Sequence, residues 1–412
     1  MRHEETYKLS RFLTCLDYPD DSDYVLISNT RNLAQLIILK NDYFRNEYSD
    51  STLKILKKQE IIIPEAKDEF LEYKELLENH LEDSSIFNVV VMPTLNCNLS
   101  CSYCFQKNKI TSNDLSYSNI IKIIDEIFNW TKNKKIKKIN TTFFGGEPTL
   151  RPDIIDRYIT EFHKKNKSKI EYSCNIVTNG VELSQLHIDL LKKLNLESIN
   201  VTIDGIESVH NSRRFGPNIH QTFSTIISNI NKYSEQVKFS INIVIDDQNY
   251  SGLKELAMFL TTNIQLKTQT TISLYLNHFS HKIINALRKQ KEILIDTYTI
   301  LLDGGFIINA PGRTSPCIFY RKNTIVYNPN GQKFKCLNNA HEKKRIVNKP
   351  EDTVKPKFLE QCKLCEFIYM CNSSCTYLCD IYKSPNFYCQ KNEFSFFWEA
   401  YCRAKLKVYE KK

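Results

Sequence analysis

Six apolar runs alternate with amphipathic stretches of helical period through the middle of the chain. The predicted strands cover residues 86–92, 139–144, 170–177, 198–203, 239–245 and 270–276, and the predicted helices cover 119–130, 153–164, 184–194, 222–233, 253–260 and 283–302. Strands and helices that alternate in this way predict a parallel sheet with right-handed crossovers. Because six units are too few to close an eight-stranded barrel, we predict a partial (β/α)6 TIM-like barrel, with a doubly wound open sheet as the alternative.

The pattern on either side of this region is different. Short strands at 24–27 and 36–39, a helix at 50–58 capped by Ser51 or Thr52, a strand at 61–64 and a helix at 66–81 precede it. Their order resembles the small winged-helix peptide-recognition domains of peptide-modifying enzymes; a plain structural extension is the alternative. An amphipathic helix at 393–409 should pack Phe396, Phe397 and Trp398 inward. We therefore predict three domains, at 1–85, 86–305 and 306–412, the last of them rich in cysteine.

Composition narrows the class of protein. The 412 residues are 42% hydrophobic and 25% charged, which is ordinary for a globular chain, and the formal net charge is +9. The densest lysine run, at 132–138, lacks interleaved aromatic residues, so we predict a solvated loop and no nucleic-acid partner. No signal peptide and no apolar run of about 18 residues is evident, which predicts a cytoplasmic protein without a membrane span. Without a secretory signal, the 14 cysteines favour metal ligation over disulfides.

Polar or glycine-rich motifs follow the first four predicted strands. Cys97, Cys101 and Cys104, spaced C-x3-C-x2-C, follow the first strand; residues 145–148 (GGEP), 178–180 (TNG) and 202–205 (TIDG) follow the next three. The carboxyl ends of parallel strands meet at one edge of a sheet. The four motifs together therefore predict a single active site, although each one alone could be only a turn.

The cysteine triplet predicts an iron–sulfur site. Three closely spaced thiolates cannot complete a four-ligand tetrahedral site, but they can hold three irons of a [4Fe-4S] cube and leave the fourth iron open. Half of a structural zinc site, with its fourth ligand elsewhere, is the alternative. Gly145 and Gly146 lack Cβ atoms and would let the backbone approach a ligand closely, and Glu147 would supply negative charge.

The triplet, with Tyr103 before its last cysteine, resembles the signature of the radical S-adenosylmethionine (SAM) enzymes. The resemblance implies that Gly145, Gly146 and Glu147 match the GGE motif that contacts the methionine amino group of SAM. It implies that Asn179 and Thr202 approach the carboxylate and ribose, with Asp204 adjacent, and that Arg213 or Arg214 lies near the carboxylate. The chemistry implied is reduction of the cluster, cleavage of SAM and hydrogen abstraction by a 5'-deoxyadenosyl radical. No general base can be assigned.

Seven cysteines toward the carboxyl end have a second pattern. They are Cys317, Cys336, Cys362, Cys365, Cys371, Cys375 and Cys389. Structural zinc is one interpretation, but their order resembles the SPASM extension of radical SAM peptide-modifying enzymes, which holds two auxiliary [4Fe-4S] clusters. The resemblance implies that Cys362, Cys365, Cys371 and Cys389 bind one cluster and that Cys317, Cys336 and Cys375 bind the other.

The remaining cysteines are assigned separately. Some relatives carry a further ligand at the position of Pro311, so the second auxiliary cluster would lack a fourth protein ligand unless Cys379 supplies it. We expect Cys15, Cys174 and Cys402 to be small buried hydrophobic residues.

The resemblance implies a peptide maturase that forms an oxidative crosslink in a ribosomally made precursor peptide. Its cofactors would be SAM and three [4Fe-4S] clusters, and its electron donor a flavodoxin or ferredoxin-type protein. The competing enzymatic interpretation is an anaerobic sulfatase maturase, disfavoured by Leu337, where those relatives have Asp, and by the 96 residues before Cys97. Two non-enzymatic interpretations are an iron–sulfur electron-transfer module and a zinc scaffold. The peptide, the bond formed and the oligomeric state are not predicted.

Overall fold

The computed structural model describes residues 6–19, 21–83, 85–106, 113–132, 134–276, 284–312, 316–339, 346–352, 356–372, 375–384 and 387–411. These residues form two compact units. One contains the described residues of 1–80, 310–317 and 356–409, and the other those of 81–309, 318–355 and 410–412. The division into three domains stays a prediction.

The amino-terminal region contains five short strands and three helices within the described residues. They are β1 (Tyr7–Leu9), β2 (Leu13–Asp17), β3 (Tyr24–Asn29), β4 (Gln35–Leu39), α1 (Lys40–Arg45), α2 (Asp50–Lys58), β5 (Ile62–Pro64) and α3 (Glu69–Glu82). Strands β2, β3 and β4 form an antiparallel sheet, and β1 pairs with β5. The predicted cap of α2 is wrong. The Ser49 hydroxyl accepts the Thr52 N–H at 3.2 Å, so the helix begins before Ser51.

One mostly parallel sheet, consistent with the predicted partial barrel, organises the second unit. Its strands are β6 (Ile86–Val91), β7 (Lys138–Phe143), β8 (Glu171–Val177), β9 (Leu196–Thr202), β10 (Phe239–Ile245), β11 (Thr270–Leu276), β12 (Ile307–Ile308), β13 (Thr324–Tyr327) and β14 (Lys333–Phe334). They lie in the order β12-β11-β10-β9-β8-β7-β6-β13-β14, and among the pairs of this sheet within the described ranges only β13–β14 is antiparallel. The six predicted strands thus lie side by side in chain order, which confirms the predicted parallel α/β fold.

Amphipathic helices connect these strands. They are α4 (Tyr117–Thr131), α5 (Pro152–Lys165), α6 (Gln185–Lys192), α7 (Glu207–Arg213), α8 (Thr222–Tyr233), α9 (Leu253–Asn263), α10 (Ile284–Arg288) and α11 (Lys291–Asp303). In α4, for example, Ile120, Ile123, Ile124 and Ile127 form the buried stripe expected from period 3.6. The single helix expected over 283–302 is instead two, because the chain turns at Gln290, whose N–H donates to the Leu287 carbonyl at 2.9 Å.

The first unit also contains the helices α12 (Ile368–Cys371), α13 (Thr376–Ile381) and α14 (Lys391–Glu410). Helix α14 buries Phe396, Phe397 and Trp398, as predicted. The Trp398 indole N–H donates to the Thr14 hydroxyl of β2 at 2.8 Å. The two ends of the chain therefore share one core, a relationship that no local pattern in the sequence shows.

The three cysteines predicted to be buried hydrophobic residues differ in exposure. Cys174 and Cys402 are fully buried, as predicted. Cys15 is exposed, so its prediction as a buried residue is wrong; it lies on β2, an edge strand whose side chains are only partly covered. Among the helices within the described ranges, none has the length and apolar character to cross a lipid bilayer.

Candidate active site

The loops that follow β6 to β9 meet around a cavity of about 490 Å³ in the second unit. The sequence-predicted residues that line it are Cys97, Cys101, Tyr103, Cys104, Gly145, Gly146, Asn179, Thr202 and Arg214. Glu147 and Asp204 do not line it; both are fully buried behind it. The sheet therefore brings all four motifs to one edge, as expected for parallel strands.

The two glycines after β7 pack against the start of the cysteine loop. The N–H of Gly146 donates to the Thr94 carbonyl at 3.0 Å, and the N–H of Glu147 donates to the Asn96 carbonyl at 2.8 Å. A Cβ on Gly145 would lie 2.2 Å from the Thr94 oxygen, and one on Gly146 would lie 2.2 Å from the Asn96 oxygen. The absence of side chains at Gly145 and Gly146 thus permits contact between the two loops. The sequence analysis had explained these glycines only by close approach of the backbone to a ligand.

The Glu147 carboxylate accepts four hydrogen bonds from neighbouring protein groups. Its Oε1 accepts from the Thr149 N–H at 3.0 Å, the Thr149 hydroxyl at 2.7 Å and the Thr178 hydroxyl at 2.7 Å, and its Oε2 accepts from the Asn179 N–H at 2.6 Å. Burial raises the pKa of the Glu147 carboxyl, and these hydrogen bonds oppose the shift. Glu147 therefore joins the loop after β7 to the loop after β8.

Asn179 extends this connection to the cysteine loop. Its side-chain N–H2 donates to the Asn98 side-chain oxygen at 2.7 Å and lies 3.9 Å from the Cys97 sulfur. The Leu99 N–H donates to the same sulfur at 3.4 Å. Burial raises the pKa of the Cys97 thiol to about 11, against the Leu99 hydrogen bond that lowers it. The sulfur thus already has donors that would stabilise a thiolate ligand.

Tyr103 belongs to a buried ionic network. Its hydroxyl donates to the Asp204 carboxylate and accepts from the Arg214 Nη1 at 2.7 Å. Burial raises the pKa of the Asp204 carboxyl, opposed by Arg214, by the Tyr103 hydrogen bond and by Arg213. The sequence did not decide whether Arg213 or Arg214 lies at the site, and the structure distinguishes them. Arg214 lines the cavity, whereas Arg213 binds Asp246 with two hydrogen bonds of 2.8 Å and does not line it.

Sequence reasoning did not assign several polar residues of the cavity wall, among them Gln106, Asn242 and Tyr275. Asn242 lies in β10, directly opposite Thr202 of β9 in the strand register, and Tyr275 lies in β11 opposite Val244. A polar residue inside an otherwise apolar strand was the available signal for Asn242. Asn242 was missed because the site residues were sought in the loops that follow the strands.

The profile of the Radical SAM superfamily matches residues 91–260. This segment contains the cysteine triplet and every other predicted residue of the cavity. This part of the chain is a radical SAM domain.

One curated relative is the radical SAM cyclopropyl synthase TigE of Paramaledivibacter caminithermalis. It is 24% identical over 322 residues, which cover 70% of this chain and 64% of TigE. The chain spans only about 45% to 64% of the length of the first curated relatives that it matches.

Two solved structures share the fold. One is native anSMEcpe with bound AdoMet and the Kp18Cys peptide, 18% identical with a TM-score of 0.60, over 79% of this chain and 99% of that chain. The other is SuiB of Streptococcus suis bound to the precursor peptide SuiA, 15% identical with a TM-score of 0.50, over 95% of this chain and 100% of that one. The match to SuiB thus extends beyond the radical SAM domain.

The cavity fits the cofactors that the radical SAM superfamily implies, a [4Fe-4S] cluster and SAM. Three thiols stand at one wall, and two buried donor atoms of lining residues have no hydrogen-bond partner in the described part of the chain: Arg214 Nε and Gln106 Nε2. Arg214 is the one charged side chain among the described lining residues. Unused donors and one cation suit a ligand with a carboxylate and many acceptor atoms.

The four cysteines predicted to bind one auxiliary cluster line a smaller cavity in the first unit. These are Cys362, Cys365, Cys371 and Cys389, and the other walls are mostly aromatic. Within the described ranges, no three His, Cys, Asp or Glu side chains are close enough to hold a single metal ion. A [4Fe-4S] cluster at these four thiols stays a prediction.

The second auxiliary ligand set stays a prediction. Cys379 lies one helical turn beyond Cys375, and its N–H donates to the Cys375 carbonyl at 3.0 Å. Cys317 belongs to the first unit and Cys336 to the second.

Proposed function

We propose that this protein is a radical SAM peptide maturase that installs an oxidative crosslink, a thioether or a carbon–carbon bond, in a ribosomally made precursor peptide. The observation that carries the proposal is the cavity at the sheet edge, where the cysteine triplet faces Gly145, Asn179 and Arg214. A second set of cysteines around its own cavity supports a SPASM-type extension. The fold shared with two peptide-bound structures supports a peptide substrate.

Different residues of the cavity would bind the cluster and SAM. Cys97, Cys101 and Cys104 would hold the SAM-binding cluster, and Arg214 would pair with the methionine carboxylate. Backbone groups of Gly145 and Gly146, with Asn179 and Thr202, would orient the rest of SAM. Glu147 would hold the Asn179 backbone and the Thr178 side chain in place through its carboxylate, without contacting SAM itself.

When bound, the cluster and SAM would supply the one-electron chemistry that removes a hydrogen atom from the substrate, and an auxiliary cluster would supply the oxidant for the electron left on the substrate. The apolar walls formed by Leu95, Phe144 and Val177 would exclude water from the reacting carbon. Cys362, Cys365, Cys371 and Cys389 would hold one auxiliary cluster, and Cys317, Cys336 and Cys375 the other.

The amino-terminal sheet is the proposed site of precursor capture. In the described residues β4 pairs only with β3, so its outer edge offers unpaired backbone groups, and Ile37 and Leu39 on this strand are exposed. An extended peptide could add to such an edge through main-chain hydrogen bonds. A flavodoxin or ferredoxin-type protein would reduce the SAM cluster, and we place the reaction in the cytoplasm.

The first test is metal content and SAM cleavage. The full chain, reconstituted anaerobically, should bind about twelve irons and as many sulfides, as three cubane clusters require. With dithionite it should convert SAM to 5'-deoxyadenosine. Cys97→Ala should abolish this cleavage while retaining about eight irons. Retained cleavage in Cys97→Ala, or zinc in place of iron, would refute the assignment.

The second test concerns the product. Short peptides encoded beside this gene should lose two hydrogens per crosslink when incubated with the enzyme, SAM and a reductant, as read by mass spectrometry. A carbonyl product that reacts with a hydrazide would favour the sulfatase-maturase alternative, for which Leu337 and the long amino-terminal region give no support.

A further inference from the structure

The segment 213–216, which begins at the last residue of α7, runs beside the cysteine loop and makes two backbone hydrogen bonds to it. The N–H of Ser102 donates to the Arg213 carbonyl at 2.9 Å, and the N–H of Ser100 donates to the Phe215 carbonyl at 2.6 Å. Both serines lie between cysteines of the triplet. The segment therefore fixes the backbone between the thiols, independently of anything they bind.

Gly216 makes this contact sterically demanding. A Cβ on Gly216 would lie 2.1 Å from the Asn98 carbonyl oxygen, closer than any side chain can approach. The Gly216 N–H donates to the Ile219 carbonyl at 2.9 Å, which closes a tight turn on the other side. Neither the segment nor the cysteine loop can shift without breaking these contacts.

The side chain of Arg213 anchors the segment to the sheet. Its Nη1 and Nη2 each donate to the Asp246 carboxylate at 2.8 Å, and Nη1 also donates to the Gln248 side-chain oxygen at 3.0 Å. Asp246 follows directly on β10, and its N–H donates to the Asn249 side-chain oxygen at 2.9 Å. Arg213 is 3% exposed, and its guanidinium carbon lies 4.9 Å from the centre of the Tyr103 ring. One side chain thus joins the end of β10 to the cysteine loop through an ion pair and a ring contact.

We propose that Arg213 and Asp246 are positioning residues that hold the loop of Cys97, Cys101 and Cys104 in its cluster-binding conformation before any iron binds. The inference rests on the proposed cluster at these cysteines. Arg213 acts through the loop, since it does not line the cavity. Groups that orient metal ligands typically change metal affinity about 10- to 100-fold when they are mutated.

Hydrogen exchange on the metal-free full chain tests the proposal without any cofactor. In the wild type, the amides of Ser100 and Ser102 should exchange slowly. In Arg213→Lys, which keeps the charge but loses the two-pronged contact with Asp246, they should exchange about tenfold faster or more. Asp246→Asn should behave likewise. Arg403→Lys, which alters an arginine–glutamate pair in α14, is the matched control and should leave both amides unchanged.

Reconstituted protein gives the second readout. In Arg213→Lys the SAM-dependent change in the electron paramagnetic resonance signal of the reduced cluster should be lost or altered, and a chelator should remove about four irons at least tenfold faster than from the wild type. Fast exchange of both serine amides in metal-free wild type would overturn the inference, whether or not the variants fold. So would a folded Arg213→Lys with unchanged exchange and signal. Absence of a cluster on the triplet in wild type would instead refute the proposed function.

Discussion

The Glu147 carboxylate and the Asn179 backbone N–H are joined by a hydrogen bond of 2.6 Å between two neighbouring strand ends. This contact gives the acidic residue of the GGE motif a defined position. Its oxygens point to protein donors, away from the cavity, so its effect on a ligand passes through the loops that it holds.

Glu147→Gln should lower the free energy of unfolding by about 1–3 kcal/mol. The amide can still accept from Thr149 and Thr178, but its NH2 group would then face the Asn179 N–H, donor against donor. SAM binding should weaken while the cluster content stays intact. Chemical denaturation and calorimetry measure the two effects. Glu255→Gln, an exposed glutamate on α9, is the control; equal effects for both variants would show that the Glu147 hydrogen bonds are unimportant.

Gly146→Ala should disturb the contact between two loops. Its Cβ would lie 2.2 Å from the Asn96 carbonyl oxygen and 2.4 Å from that of Leu95. We expect a loss of about 1–3 kcal/mol in stability, the usual effect of overpacking, with weaker SAM binding. Gly252→Ala is matched, because nothing lies within 4 Å of the Cβ that this change would add. Thermal unfolding of both variants, with and without SAM, measures the two effects. If Gly146→Ala behaves like Gly252→Ala, the prediction is wrong.

Arg214→Gln should weaken SAM binding at least about tenfold, since a charge-assisted hydrogen bond contributes on the order of 1.5–3 kcal/mol. The reason is its place on the cavity wall, with an unpartnered Nε among the described residues. Iron content should change little. Titration calorimetry with SAM checks this. A wild-type affinity in Arg214→Gln would remove the residue from the carboxylate site and reopen the choice between the two arginines.

His210 should make the protein less stable in mild acid. Burial, then Arg214 and Arg213, lowers the pKa of His210 well below 6.5, and its Nδ1 accepts the Asp204 N–H at 3.2 Å. The unfolded chain thus binds a proton that the folded chain excludes, so stability falls as the pH drops below about 6.5 toward the folded pKa. The slope is up to about 1.4 kcal/mol per pH unit.

Denaturation between about pH 5 and 7, the range in which an ordinary histidine titrates, tests the role of His210. His210→Gln should be less stable at neutral pH but should lack this part of the slope. Identical slopes in wild type and variant would contradict the prediction.

Cys362→Ala should remove about four irons per chain and leave SAM cleavage intact, because this thiol lines the four-cysteine cavity of the first unit. Cys402→Ala is the control, since Cys402 is buried in α14 and does not line that cavity. Iron and sulfide analysis, with Mössbauer spectroscopy, gives the count. Unchanged iron in Cys362→Ala would remove this residue from the ligand set.

Much of the fold could be predicted from the order of apolar runs. The limits of β10 and β11 agree with the predicted 239–245 and 270–276, because buried parallel strands leave continuous apolar runs between turn residues. Strand β13 was missed. It is only four residues long, and its parallel pairing with β6 joins positions that lie far apart in the chain, such as Asn88 and Thr324.

The grouping of the motifs around one cavity could be predicted from the order of residues alone: three cysteines at fixed spacing and short motifs follow successive strands, which a parallel sheet must bring to one edge. Which of these residues line the cavity depends on the folded chain. Folding places Glu147 and Asp204 behind the wall and separates Arg214 from Arg213. The physical reason is that the order of residues fixes the backbone position from which a side chain starts. Its conformation depends on burial and on hydrogen-bond partners from other parts of the chain, such as Asp246 for Arg213.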